Sequence, residues 1–131
     1  MNKSDENTTA MLIPVSIGEL MDKISILEIK MAHMKDQKLK NVEKELKYLR
    51  KVVEENLLDI DIKLINELKN VNKALWDIED KIRLKESQEK FDSDFIQLAR
   101  SVYIQNDKRS NIKKEINCIY NSELTEEKSY Y

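Results

Sequence analysis

A chain of 131 residues with 37% charged side chains, one glycine and one proline has material for long helices with solvated faces and little for tight turns or sheet corners, so it reads as a single all-α domain. Lys and Arg number 23 against 25 Asp and Glu, with the signs interleaved along the chain. That balance excludes a broad footprint for nucleic acid or an anionic membrane and leaves room only for a local basic face.

The first 11 residues are polar and aperiodic and read as a flexible tail; they lack the basic start and apolar run of a signal peptide, and no later stretch is apolar enough to span a bilayer. A soluble, cytoplasmic protein is expected. In "PVSIGEL" Ser16 and Glu19 have the spacing of a capping box, which starts a first helix over residues 17 to about 34. Ile17, Leu20, Met21, Ile24, Leu27, Met31 and Met34 share its broad apolar face, while Ile26 and Ile29 lie on the other side and predict neighbours on two sides. A second pattern, Leu39, Val42, Leu46, Leu49 and Val53, makes a narrow seam that ends near "ENLLDID". Asp59 or Asp61 would cap the third helix, although no Gly or Pro separates the two and one uninterrupted helix is the alternative. The third helix carries Leu64, Leu68, Val71, Leu75, Ile78 and Ile82 to about Glu86. Asp92 caps the fourth, which runs from Ser93 to about Tyr120, with Phe91 and Ile96 spaced as a hydrophobic staple. Residues 121–131 have no apolar stripe and read as a second flexible tail, leaving 12–120 as the domain.

The elements make two antiparallel helical hairpins, forming a four-helix bundle or an elongated helical dimer. The narrow seam of the second helix and the two-sided first helix predict a homo-oligomer.

Seven consecutive polar residues, "QNDKRSN" at 105–111, interrupt the apolar stripe of the fourth helix without ending its period. Asn106 and Arg109 follow Val102 by four and seven residues, so both should face the packed side. A turn near 87–92 sets Trp76 near Asn106, Glu79 near Tyr103 and Asn72 near Arg109, and Asn72, Trp76, Glu79, Arg83 and Glu86 form one ridge on the third helix. Glu28 stands in the middle of the first helix's apolar face and requires a cationic partner or a proton. Glu28, Asn72, Trp76, Glu79, Arg83, Arg100, Tyr103, Asn106 and Arg109 are therefore the candidate cluster, with Arg109 expected to pair with Glu79 and Glu28. The cluster is either a buried network that fixes helix register or a pocket for a small anionic ligand.

Catalytic signatures are thin. One histidine, His33, placed at a helix end, supports neither Glu-x-x-His di-iron pairs nor a Ser/His/Asp triad, and no glycine-rich phosphate loop exists. Glu19 with Asp22, and Glu86 with Glu89, have magnesium-like i, i+3 spacing that a chain this charged produces by chance, so no metal or cofactor is expected. The single cysteine, Cys118, excludes an intrachain disulfide and reads as a buried or half-buried helix residue.

Three segments, "PVSIGELMDKISILEIK", "NKALWDIEDKIRLKE" and "FDSDFIQLARSVYIQNDKR", together resemble a family of small bacterial and marine-phage proteins catalogued as a domain of unknown function. The resemblance covers roughly residues 12 to 118. It implies an intracellular or phage-encoded helical protein and brings no catalytic residue. The expected function is a homo-oligomeric binding or assembly module; the alternative is a binder of, or enzyme on, a phosphate- or carboxylate-bearing small molecule. Neither nucleic acid nor membrane is an expected partner.

Overall fold

The computed structural model describes residues 8–129, and these fold as four helices: α1 Ile17–His33, α2 Asp36–Glu55, α3 Ile62–Ser87 and α4 Ser93–Ile119. Local chemistry starts three of them. Ser16 Oγ accepts from the Glu19 N–H at 3.1 Å, Asp61 from Lys63 at 2.9 Å, and Asp92 from Phe95 at 3.0 Å. The capping box at α1 is only half formed, because the Glu19 carboxylate turns away to Lys113. α2 begins three residues before the first apolar residue of its seam, with Asp36 in the left-handed region. The staple at α4 also differs from expectation: Phe91 lies edge-on to Phe95 at 5.3 Å, and Ile96 is exposed.

Helix ends follow one device repeated without glycine. After α2, α3 and α4 the chain turns through Leu57, Glu89 and Asn121, each at φ near 53°. In each case the next amide bonds back to the carbonyl five residues earlier: Leu58 to Val53, Lys90 to Lys85 and Ser122 to Asn117. The break at Leu57 separates α2 from α3 and excludes the single long helix.

α1 is the central element and touches the other three; α3 packs along α4, and α2 rests on α1 alone. The core is therefore built on Leu20, Met21, Ile24 and Leu27 of α1, met by Val42 and Leu46, by Leu64 and Leu68, and by Ile116, with Ile60 closing it from the α2–α3 connection. Ile29, on the reverse of that face, is buried as well.

The hairpin α3/α4 is longer than what covers it. His33, the last residue of α1, stacks on Trp76 at 4.7 Å, and no residue between Trp76 and Ile112 is buried. From Trp76 to Ser87, α3 runs on for about 16 Å with α4 as its only neighbour. Residues 77–105 thus form an arm. Among the described residues no helix is long and apolar enough to cross a membrane.

Candidate functional site

At the opposite end, α1 and α4 meet through polar groups. The first three amides of α1 have no partner within the helix, and three segments supply one each. Ser122 Oγ accepts from Ile17 at 3.0 Å, Asn117 Oδ1 from Gly18 at 2.6 Å, and Ser16 Oγ from Glu19. Gly18 lets the two backbones come this close.

One turn further along, Lys113 is buried. Its Nζ lies 2.6 Å from Glu19, 3.4 Å from Glu126 and 3.8 Å from the buried carboxylate of Asp22. Asp22 also accepts from Asn72 Nδ2 at 2.9 Å, and the same amide donates to Ser25 Oγ at 3.1 Å. Arg109 approaches the second Asp22 oxygen only to 4.0 Å, an ion-pair distance and not a hydrogen bond. The described residues past Tyr120, as far as 129, carry no helix, but Ser122, Glu126 and Glu127 hold this stretch to α1 and α4.

Of the nine residues picked from the sequence, Asn72 and Arg109 belong to this cluster. Glu28 finds its cations in Arg50 at 3.5 Å and Lys69 at 3.9 Å and not in Arg109. Trp76 is half-buried under His33, and Asn106 is half-buried. Glu79, Arg83, Arg100 and Tyr103 are exposed on the arm, so the expected pairing of Arg109 with Glu79 and Glu28 is replaced by one with Asp22. The cause is the length of α1: the polar ridge of α3 is covered only as far as Trp76. Ser25, Lys113 and Asn117 escaped the sequence reading, and Asp22 entered it only as a chance i, i+3 partner of Glu19, although Lys113 and Asn117 follow Arg109 at helical steps of four and bracket the fully buried Ile116. With positions 116 and 117 facing inward, Cys118 turns out to solvent and is exposed.

A cavity of about 360 Å³ opens beside the cluster, between α1, α2 and α4. Its walls set Glu19, Asp22, Glu45 and Glu126 against Lys23, Lys30, Arg109 and Lys113, a balance with no excess positive charge to select an anion. Among the described residues no group of three His, Cys, Asp or Glu side chains could hold a metal ion. Asn72 Oδ1 and Asn117 Nδ2 are buried without a partner among the described residues. The arrangement fits a register lock that clamps the base of the arm to α1.

Burial alone would push Glu19 up, but the hydrogen bond and charge of Lys113, with Lys23 and Arg109 behind it, hold its carboxyl below the ordinary 4.5. Burial likewise pulls Lys113 down, and the Glu19, Asp22 and Glu126 carboxylates outweigh it, raising the ammonium above 10.5. A depressed carboxyl contributes stability that is present above its unfolded value and lost as pH falls through the folded one. A raised ammonium contributes stability present below 10.5 and lost as pH climbs through the folded value. Stability should therefore decline below pH 4.5 and again above 10.5. Urea titrations across that range should show a shallower acid limb for Glu19→Gln; an unchanged limb would remove Glu19 from the linkage.

No curated protein and no solved structure is significantly similar to the chain. Across residues 11–131 it matches the model of the family of unknown function DUF6165, and it belongs to that family.

Proposed function

We propose that the chain is a cytoplasmic homo-oligomeric assembly module whose shared surface is the α3/α4 arm. The observation that carries this reading is surface area. The chain exposes 10151 Å², whereas a compact monomer of 15.5 kDa exposes about 7,200 Å². Part of that surface lies on the arm, where no residue between Trp76 and Ile112 is buried; a standard interface removes roughly 800 Å² per partner. Leu84, Phe91, Ile96, Tyr103 and Ile104 are exposed on the arm. Glu79, Arg83, Glu86 and Arg100 place both charge signs among them, so a second arm crossing the first offers opposite charges as well as apolar area. The polar lock at the other end fixes the direction in which the arm points.

Light scattering should report at least a dimer, and Leu84→Glu with Ile96→Glu should shift it to monomer while the helical circular dichroism stays unchanged, since both side chains are exposed. A monodisperse wild-type monomer at high concentration would overturn the reading.

A further inference from the structure

The outer face of α2 carries a feature that the interleaved charges of the sequence conceal. Lys40, Lys44, Lys47 and Lys51 are spaced by four, three and four residues and share one side of the helix. Val42 and Leu46 are buried against α1 on the opposite side, so all four lysines are exposed. Only Lys51 among them has a carboxylate partner within the described residues, Glu55 at 3.8 Å, and that pair is open to solvent. Lys44, Lys47, Tyr48 and Lys51 line a groove of about 300 Å³ with no acidic residue in its wall, while on the other flank Lys47 and Lys51 share a groove with Arg50, Glu43 and Glu54.

A second groove of about 430 Å³ adjoins the first and shares Lys44 and Tyr48 with it. It is mostly apolar, formed by Ala10, Met11, Leu12, Leu49 and Val52, with Glu45 at its edge. The extended segment before α1 thus places Met11 and Leu12 beside the lysine stripe, with Ile13 next in the chain: Met11 is 85% exposed, Leu12 94% and Ile13 74%. Buried apolar area and a basic patch are the two signals that together hold a protein at a bilayer surface, where either alone binds weakly.

We propose that this face is a peripheral docking site for an anionic lipid surface, with the lysines over the headgroups and Met11, Leu12 and Ile13 entering the acyl boundary. Charge complementarity selects an anionic occupant, and the apolar triplet selects a lipid over a nucleic acid, which offers phosphates but no acyl layer. The site lies on α2 and is independent of the arm.

Co-sedimentation of the full chain with vesicles tests it. Binding to phosphatidylserine-rich vesicles should be strong at low salt, weaken as salt rises, and be absent with phosphatidylcholine alone. Lys44→Gln, Lys47→Gln and Lys51→Gln together should lower the partition coefficient about a hundredfold, at about fivefold per lysine. Leu12→Asp should also weaken binding with all lysines present. All four side chains are solvent-exposed, so circular dichroism should be unchanged in every variant. No sedimentation with anionic vesicles at low salt, or sedimentation indifferent to the lysine substitutions, overturns the proposal. Binding to single-stranded RNA that matches the vesicle affinity and ignores Leu12→Asp overturns it in favour of a nucleic-acid face.

Discussion

Lys113→Ala is expected to destabilise the fold by about 3 to 5 kcal/mol, the range for removing one partner of a buried ion pair. The lysine side chain is 6% exposed and Asp22 opposite it is 4% exposed. Without the ammonium, the Asp22 carboxylate keeps the Asn72 amide and an Arg109 nitrogen 4.0 Å away, which leaves a buried charge poorly compensated. Glu19 and Glu126 are exposed enough to turn toward water and need not share the loss. Two neighbours set the scale. Arg109 is 29% exposed and beyond hydrogen-bonding distance of Asp22, so Arg109→Ala should cost about 1 kcal/mol. Lys114 pairs with Glu127 in open solvent, and Lys114→Ala should stay within about 0.5 kcal/mol. Urea denaturation orders the three variants. Adding Asp22→Asn to Lys113→Met should recover part of the loss, because a neutral amide no longer needs the ammonium. Equal, small shifts for Lys113 and Lys114 would mean that the cluster is open to water and holds nothing together.

What could be read from the sequence followed the range of the forces involved. Ser16, Asp61 and Asp92 cap amides two or three residues away, so three helix starts were legible from short stretches. The apolar stripes of α1, α2 and α3 were legible because each repeats over several turns. Helix ends were harder: Leu57, Glu89 and Asn121 hold the left-handed turns where glycine is the usual signal, and the single glycine of the chain is elsewhere.

The site was legible only at Asn72 and Arg109, for a geometrical reason. A helical stripe tells which side of α3 or α4 faces a neighbour, and Asn72 and Arg109 do face α1. It does not tell where the neighbour stops. α1 stops at His33, so Glu79, Arg83, Arg100 and Tyr103 continue along the arm into solvent. Ile17 and Gly18 are capped from residues 105 and 99 positions away, contacts with no local trace in the sequence.

That single glycine supports the last expectation. In a solvated helix Gly→Ala stabilises by about 0.4 to 1 kcal/mol, because alanine loses less backbone freedom on folding. At Gly18 the sign should reverse. A Cβ there would stand 2.5 Å from the Lys113 carbonyl oxygen, 3.0 Å from its carbon and 3.0 Å from Asn117 Oδ1. Two of the three atoms are α4 backbone and cannot rotate aside, so α4 has to move. Any movement stretches the 2.6 Å bond from Gly18 to Asn117 and the Lys113–Glu19 contact together, since both side chains belong to the same turn of α4. Overpacking of this kind costs about 1 to 3 kcal/mol, and we expect Gly18→Ala near the upper end, about 3 kcal/mol below wild type. Hydrogen exchange gives the local counterpart: the amide at position 18 should lose protection ahead of the α3 core around Leu68. A variant as stable as wild type, with that amide still protected, would place the backbones of α1 and α4 further apart than 2.5 Å allows and would leave the glycine without a structural reason.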